Sequence, residues 1–186
     1  MPELPISSIT NAIRKIALLA GEEILAIYNS DFSVRSKEDR SPVTAADEAS
    51  EKLIIDHLSH LEPTLPVLAE ESFAGGAVPD VSNGTFWAVD PLDGTKEFVN
   101  RNGEFTVNIG LISDGTPAAG VVYAPARRRL YVAAGPGTAT AEINGRARTP
   151  ISARTMNSKA LIAVASRSHR DKQTDKYLES LRVAEL

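Results

Sequence analysis

The strongest constraint on the fold is a change of hydrophobic period part-way along the chain. From residue 7 to residue 28, apolar residues recur at steps of three and four, which is typical of one face of an amphipathic helix. A second helix is predicted from near Ala45, because Thr44 and Asp47 resemble a capping box and apolar residues continue at helical spacing. After Pro63 the pattern changes to short apolar runs, so strands are expected to follow the two helices.

The second part of the sequence is typical of an antiparallel sheet. The runs PVLAEES, TFWAVD, FTVNIGLI, AGVVYA and RLYVAAG follow one another along the chain. Asp114-Gly115 and Asn144-Gly145 are dipeptides that favour tight hairpin turns. We therefore expect an α+β fold in which helices pack on an antiparallel sheet. The polar segment 33–44 is predicted to be an exposed, mobile loop, and the basic residues 127–129 a solvated hairpin tip.

A further strand and helix follow the predicted sheet. The continuous apolar run ALIAVAS at residues 160–166 is typical of a strand that is buried on both faces, and the segment after it becomes helical in its second half. We therefore expect residues 1–155 to form an α+β metal-binding domain and residues 156–186 to begin an α/β domain. A layer this short cannot bury its own strand, so it either completes the first sheet or needs a further piece of chain.

Composition and motifs exclude several classes of protein. The chain of 186 residues has no cysteine, which excludes disulfides, thiolate metal sites and thiol nucleophiles. Its net charge of −4 and dispersed basic residues disfavour a polymeric nucleic acid as partner. Neither a signal peptide nor an apolar run of bilayer length is present, so a cytoplasmic location is expected. The P-loop, the zinc-protease motif and the serine-hydrolase elbow are also absent.

Carboxylates collect where two predicted strands end. Glu70 or Glu71 follows one strand, while Asp90 and Asp93 follow the next. If these strands are neighbours, the carboxylates converge and repel unless they bind protons or cations. Oxygen-only ligands suit a hard cation such as Mg²⁺, and the carbonyl of Leu92 offers a further oxygen. Metal-assisted transfer of a phosphate group to water is the chemistry that this pattern favours.

A second interpretation of these acidic residues needs no metal. Asp90-Pro91-Leu92-Asp93 also has the composition of a type I turn, which prefers Asp at its first position and Pro at its second. The turn accounts for Asp90 and Pro91 but gives no reason for Asp93. The spacing of the residues alone leaves both interpretations open.

Four segments together resemble a known family. AEES, DPLDGTKEF, NGEFTVNIGLI and SPVTAADE resemble the lithium-sensitive, Mg²⁺-dependent phosphatase superfamily of inositol monophosphatase. Within it, Lys96-Glu97-Phe98, NGEFTVNI and the SRSH at 166–169 are similar to the 3′(2′),5′-bisphosphate nucleotidases of the CysQ type. The resemblance implies hydrolysis of adenosine 3′,5′-bisphosphate to AMP and phosphate, which recycles a by-product of sulfate assimilation. The alternatives are an inositol monophosphatase, a fructose-1,6-bisphosphatase and a non-catalytic binding module.

The resemblance also implies a ligand set and a catalytic pair. Glu70, Asp90 and the Leu92 carbonyl would hold one Mg²⁺, and Asp90 and Asp93 a second, with two or three ions in a complete site. Thr95, with Asp47 behind it, would orient the water that attacks phosphorus. The implied substrate contacts are Glu70, Leu92, Asp93, Gly94, Thr95, Arg167 and His169.

Other roles implied by the resemblance concern Lys37, Arg167 and His169. Lys37 would lie in a mobile flap over the site, while Arg167 and His169 would hold the second phosphate and the base. A structural alternative for this last pair is that Ser168 caps the following helix and leaves two exposed basic side chains. The substrate is thus expected to be a small nucleotide or sugar phosphate. Some relatives contact the inner membrane from its cytoplasmic side; the sequence admits this and a homodimer without predicting either.

One family motif has no counterpart in this sequence. The family carries a later Trp-Asp motif whose aspartate completes the second metal site. Here the only tryptophan is Trp87, and nothing after His169 matches the motif. The sequence is therefore expected to be a C-terminally truncated member with an incomplete second metal site and little turnover of its own.

Overall fold

The computed structural model describes residues 6–36, 42–157, 160–166, 171–181 and 183–185. The chain divides into two compact units, and the division falls after Ile151. In chain order, the elements of the first unit are α1 (Ile6–Tyr28), β1 (Val34–Ser36), β2 (Pro42–Thr44), α2 (Ala45–Ser59), β3 (Val67–Ala69), α3 (Glu70–Ala74), β4 (Thr85–Asp93), α4 (Thr95–Val99), β5 (Thr106–Ser113), β6 (Thr116–Ala124), β7 (Arg129–Ala133), β8 (Thr140–Ile143) and β9 (Thr149–Pro150).

A seven-stranded sheet forms the centre of the first unit, with the strands in sequence order from β3 to β9. β3 runs parallel to β4, and every later neighbour is antiparallel. At the predicted hairpin turn between β5 and β6, Asp114 and Gly115 both have positive φ, at 50° and 73°. Asn144 and Gly145 repeat this geometry at 55° and 68° after β8. The predicted α+β fold, with short turns between antiparallel strands, is confirmed.

Helices α1 and α2 lie against one face of this sheet. α1 contacts β5, β6 and β7, while α2 contacts α1 and β4. Five apolar residues of α1 that follow the helical spacing are buried: Ile9, Ile13, Ile16, Ala20 and Ile24. A buried isoleucine side chain contributes about 1.5–3 kcal/mol through the hydrophobic effect, so this face anchors the helix on the sheet.

The prediction of a loop across residues 33–44 is wrong at both ends of the segment. β1 and β2 pair in an antiparallel ribbon, with Val34 opposite Thr44. The pairing uses backbone groups, so a polar and charged sequence can form it without an apolar pattern. Arg35 of this ribbon forms an ion pair with Glu48 of α2, with 2.6 Å between Nη2 and Oε1. Lys37, the predicted flap residue, lies outside the described residues.

The second unit contains β10 (Leu161–Ile162), α5 (Lys172–Ser180) and β11 (Val183–Glu185), and β10 pairs with β11 in parallel. The predicted strand buried on both faces is not observed: β10 has two residues, and Val164 in the same apolar run is 96% exposed. The predicted helix is present as α5. Its N-cap is Asp171, whose Oδ1 accepts a hydrogen bond from the Thr174 N–H at 2.7 Å. Ser168, the alternative cap, lies outside the described residues.

Candidate functional site

A bulge at the end of β4 places two aspartates on the same face of the sheet. Asp90 lies opposite Asn108 and Asp93 opposite Thr106, with a register shift between them. The two partners are two residues apart on β5, whereas the aspartates are three apart on β4, so β4 carries one extra residue. In a regular strand, residues three apart face opposite sides. The bulge is therefore what brings the two carboxylates together.

The bulge also replaces the predicted type I turn. β4 continues through Pro91 to Asp93, and the Leu92 N–H donates a hydrogen bond to Asp90 Oδ1 at 3.2 Å. The aspartate thus forms the side-chain-to-backbone contact expected of Asp at a bend, but the chain keeps its pairing with β5. A strand that resumes its pairing after the bulge holds Asp93 at a defined register, which a turn at the end of a strand would not do.

Glu70 reaches this cluster from the neighbouring strand. Ala69 pairs with Val89, so Glu70, the next residue, lies at the same edge as Asp90. Burial raises the pKa of Asp90 to about 8, with further contributions from the negative charges of Glu70 and Asp93 and from a hydrogen bond with Glu70. The carboxyl groups therefore leave an excess of negative charge that a proton or a cation can neutralise.

The donor atoms of this cluster suit a hard divalent cation. The predicted ligands are the carboxylates of Glu70, Asp90 and Asp93, together with the Leu92 carbonyl, and all of them are oxygens. Across the described residues, no three His, Asp or Glu side chains are arranged so that they alone could hold a metal ion. The oxygen donors match Mg²⁺ in ligand type and charge, but backbone oxygen and water would have to complete the coordination beside the side chains.

A buried threonine–aspartate pair lies beside the acidic cluster. Asp47 in the first turn of α2 is 1% exposed, and its Oδ1 accepts a hydrogen bond from Thr95 Oγ1 at 3.1 Å. Its Oδ2 accepts from the N–H and the hydroxyl of Thr44, at 2.8 and 2.7 Å, which completes the predicted capping box. Burial raises the pKa of Asp47, and the hydrogen bonds from Thr44 and Thr95 oppose this shift.

The Thr95 hydroxyl also connects the pair to the acidic cluster. Thr95 Oγ1 lies 3.3 Å from the Leu92 carbonyl oxygen, and its single proton can be donated to that oxygen or to Asp47. The structure therefore brings together Asp47, Leu92 and Thr95, which the sequence separates by 48 positions at most. Thr95 is the residue through which the two groups meet.

The position of Thr95 depends on a glycine and an aromatic cluster. Gly94, the N-cap of α4, has φ 91°, and a Cβ at this position would lie 2.9 Å from the Glu104 carbonyl oxygen. Only glycine avoids both the left-handed strain and this contact. Phe98 of α4 is fully buried, with its ring centroid 5.1 Å from that of Tyr28 and 4.8 Å from that of Phe32. These contacts hold α4 against the core.

Asn108 belongs to the site, although the sequence analysis does not single it out. Its Nδ2 donates to Asp93 Oδ2 at 3.5 Å, and its Oδ1 accepts from Thr106 Oγ1 at 3.1 Å. The alternation in FTVNIGLI carries the signal: Val107 and Ile109 are buried on one face, so Asn108 lies on the other face, opposite Asp90. Only the register of β4 and β5 shows that it faces the carboxylates.

An apolar groove extends from the acidic cluster along the sheet. It has a volume of about 790 Å³, and Glu70, Asp90 and Asn108 supply polar groups at one end. Its other lining residues include Leu68, Ala88, Gly110, Ile112 and Tyr131. The predicted substrate contacts Arg167 and His169 lie outside the described residues. No helix in the described part of the chain has the length and apolar character needed to cross a bilayer.

Comparisons with known proteins show which family this chain belongs to. The sequence profile of the inositol monophosphatase family matches residues 6–184. The chain is 46% identical over 169 residues to the 3′(2′),5′-bisphosphate nucleotidase CysQ of Escherichia coli K12, which covers 90% of this chain and 67% of that protein. The chain is 44% identical to CysQ of Salmonella typhimurium, in a match that covers 90% of this chain and 67% of that protein. The chain thus spans about two thirds of the length of these relatives.

A solved structure shows the same similarity in three dimensions. The crystal structure of CysQ from Bacteroides thetaiotaomicron, a bacterial member of the inositol monophosphatase family, superposes with a TM-score of 0.75 at 35% identity. The match covers 97% of this chain and 70% of that one. With the profile match, the identity to curated relatives and this shared fold, the chain belongs to the inositol monophosphatase family.

Proposed function

We propose that this chain carries the metal-dependent phosphatase site of a 3′(2′),5′-bisphosphate nucleotidase, which hydrolyses the 3′-phosphate of adenosine 3′,5′-bisphosphate to give AMP and phosphate. Its relatives CysQ and the inositol monophosphatase family are metal-dependent phosphatases that typically use Mg²⁺. The observation that carries the proposal is the meeting of Glu70, Asp90 and Asp93 beside the Thr95–Asp47 pair. The curated relatives at 46% identity are bisphosphate nucleotidases by name, which favours this substrate over inositol phosphate or fructose 1,6-bisphosphate.

The acidic cluster would hold the metal. Glu70, Asp90 and the Leu92 carbonyl are proposed as ligands of one Mg²⁺, and Asp90 and Asp93 as ligands of a second, in a complete site of two or three ions. When bound, Mg²⁺ supplies Lewis-acid stabilisation of charge on phosphate and lowers the pKa of the attacking water. The extra residue of the β4 bulge supports this assignment, because it places Asp90 and Asp93 on one face where they can share a cation.

The Thr95–Asp47 pair would position the water and accept its proton. Thr95 Oγ1 donates to Asp47 Oδ1, so the lone pairs of the hydroxyl are left to accept a proton from a water beside the cluster. As that proton arrives at Thr95, the hydroxyl proton passes to Asp47. Asp47 is buried and held by Thr44 on its other oxygen, so its carboxylate keeps one orientation during the transfer.

The remaining assignments extend the proposal to the rest of the molecule. Glu70, Leu92, Asp93, Gly94 and Thr95 would contact the substrate phosphate. Arg167 and His169 would contact the other end of the nucleotide, and Lys37 would lie in a flap. Residues 1–155 would form the metal-binding domain and 156–186 the beginning of an α/β domain. A cytoplasmic location and Li⁺ sensitivity stay predictions, whereas the sequence admits a homodimer and peripheral membrane contact without predicting either.

Phosphate release with three substrates tests the proposed function. The purified chain is incubated with adenosine 3′,5′-bisphosphate, inositol 1-phosphate or fructose 1,6-bisphosphate, with Mg²⁺ and with EDTA. We expect slow, Mg²⁺-dependent release that is highest with the bisphosphate nucleotide. A preference for inositol phosphate or the sugar bisphosphate would refute the substrate assignment. Release that EDTA leaves unchanged would refute the metal-dependent site, and Asp90→Asn serves as the matched inactive control.

A further inference from the structure

Helix α2 carries a second buried carboxylate besides Asp47, and it contacts the two residues that follow Glu70. Glu51 of α2 is 4% exposed and carries three hydrogen bonds from the start of α3. Its Oε2 accepts from the Glu71 N–H at 2.7 Å. Its Oε1 accepts from the Ser72 N–H at 2.8 Å and from Ser72 Oγ at 2.5 Å. Neither the metal ligands nor the Thr95–Asp47 pair include this residue.

These bonds replace a cap that α3 lacks. The N-cap residue of α3 is Ala69, whose methyl group makes no capping hydrogen bond. The first N–H groups of a helix have no intrahelical acceptor and need one from elsewhere. A helix of five residues also has little stability of its own, because most of its length is the first turn, whose formation is unfavourable in free energy. Glu51 therefore supplies from α2 both the acceptor and the negative charge that favour this helix start.

The cap confines Glu70 from its C-terminal side. Glu70 is the first residue of α3, and the residue before it, Ala69, is held by pairing with Val89 of β4. The two residues after it, Glu71 and Ser72, are held by Glu51. The backbone of Glu70 is thus fixed on both sides at the position where its carboxyl meets Asp90.

We propose that Glu51 is a positioning residue for Glu70 and that it sets the affinity of the acidic cluster for a divalent cation. This inference rests on the proposed function, because it takes Glu70 to be a metal ligand. Residues that orient a metal ligand commonly change metal affinity by about 10–100-fold when they are replaced. A cap with only a structural role would lower the stability of the fold and leave the affinity of the folded protein unchanged.

The test is calorimetric titration of Mg²⁺ alone into the folded, full chain of 186 residues. In Glu51→Gln, one acceptor oxygen is replaced by an amide that faces N–H donors, and we expect at least roughly tenfold weaker binding. Ser72→Ala removes one hydrogen bond and keeps the other two, so a smaller loss of affinity than in Glu51→Gln is expected. Glu70→Gln, which removes the proposed ligand itself, should bind weakest.

Glu142→Gln is the matched control. Glu142 is another buried carboxylate held by hydrogen bonds, at 7% exposure, but it lies on β8. β8 is four strands from β4 in the sheet, which is roughly 19 Å at about 4.8 Å for each step. This variant should lose stability and keep the Mg²⁺ affinity of the unaltered chain. A parallel loss of affinity in Glu142→Gln would show that destabilisation alone weakens binding, and would overturn the inference.

The outcomes separate the inference from the proposed function. If Glu70→Gln abolishes binding while Glu51→Gln and Ser72→Ala bind like the unaltered chain, the positioning role is wrong and the metal site stands. The metal site and the inference both fail in either of two cases: the unaltered chain does not bind Mg²⁺, or Glu70→Gln binds Mg²⁺ as tightly as the unaltered chain. If Glu51→Gln does not fold, Ser72→Ala decides: unchanged affinity overturns the positioning role, and the expected loss supports it.

Discussion

Thr95 and Asp47 meet across two helices, with the threonine hydroxyl donating to a buried carboxylate at 3.1 Å. The contact joins the first residue of α4 to the first turn of α2. Because the same hydroxyl lies 3.3 Å from the Leu92 carbonyl, it lies between a base and a proposed metal ligand. A water bound to the acidic cluster could therefore give its proton to the Thr95 hydroxyl, which in turn donates its own proton to Asp47.

Replacing Asp47 with asparagine should lower the rate of phosphate release while the protein still folds. In Asp47→Asn, one oxygen can still accept from Thr44, but the amide cannot take up the proton that Thr95 gives away. We expect turnover to fall by roughly 10²–10⁴-fold, the range for loss of a general base. The measurement is steady-state phosphate release beside a thermal melt. Thr44→Ser, which keeps the capping hydroxyl, should retain activity; full activity of Asp47→Asn would contradict the proposed proton path.

Gly94, directly before α4, and Gly115 are a matched pair of glycines for testing whether a Cβ is tolerated at Gly94. Both have positive φ, at 91° and 73°, but a Cβ at Gly94 would meet the Glu104 carbonyl at 2.9 Å while one at Gly115 would meet nothing within 4 Å. Gly115→Ala should therefore cost only the left-handed strain, about 1–2 kcal/mol. Gly94→Ala should cost clearly more and displace Thr95. Urea unfolding measures both; equal losses would show that the contact with Glu104 is unimportant.

Removing the central carboxylate should stabilise the protein when no metal is present. Burial and the charges of Glu70 and Asp93 disfavour the ionised form of Asp90, so its pKa stands at about 8. We expect Asp90→Asn to raise the melting temperature in EDTA by roughly 2–4 °C, equivalent to about 1 kcal/mol in a chain of this size.

The stabilisation by metal should be lost in the same variant. A cation at 100 times its Kd stabilises a folded protein by about 2.7 kcal/mol, so Mg²⁺ should raise the melting temperature of the unaltered chain and not that of Asp90→Asn. Asp80→Asn, at an exposed carboxylate, should respond to Mg²⁺ as the unaltered chain does. An equal Mg²⁺ response in Asp90→Asn would contradict the assignment of Asp90 as a ligand.

An ion pair distant from the site should make stability depend on acid pH. Glu142 accepts from Arg14 through both oxygens at 2.5 Å and from Arg148 at 3.0 Å. The hydrogen bond from Arg14 is the main cause that lowers the pKa of Glu142, with burial opposing it and Arg148 adding to it. Because the folded pKa is depressed, the stabilisation is complete above the unfolded value of about 4.3 and is lost as the pH falls through the folded value.

The corresponding variant is Glu142→Gln, with unfolding followed by urea at several pH values. The variant should be less stable than the unaltered chain at pH 7 by about 2 kcal/mol, the range for hydrogen bonds to charged groups. The difference should shrink as the pH is lowered below about 4. A difference that stays constant down to pH 3 would show that the carboxylate charge does not stabilise the fold.

The sequence by itself determined the local elements of this protein. The helical period around Ile13 and Ile24, the capping box at Thr44 and the turn at Asp114-Gly115 all rest on neighbouring residues, and each prediction is confirmed. The ribbon of β1 and β2 and the short β10 were predicted incorrectly. Backbone pairing can form a ribbon without an apolar pattern, and an apolar run is buried only where something packs on it, as the 96% exposure of Val164 illustrates.

For the candidate site, residue types and spacing were enough to indicate carboxylate chemistry at Glu70, Asp90 and Asp93, and the resemblance added Asp47 and Thr95. Only the tertiary structure decided how these residues meet. The β4 bulge turns Asp93 to the face of Asp90, the sheet register brings Asn108 opposite, and packing of α2 aligns Asp47 with Thr95. Faces, registers and contacts between distant segments depend on pairings across the whole sheet, and no local pattern of residues contains them.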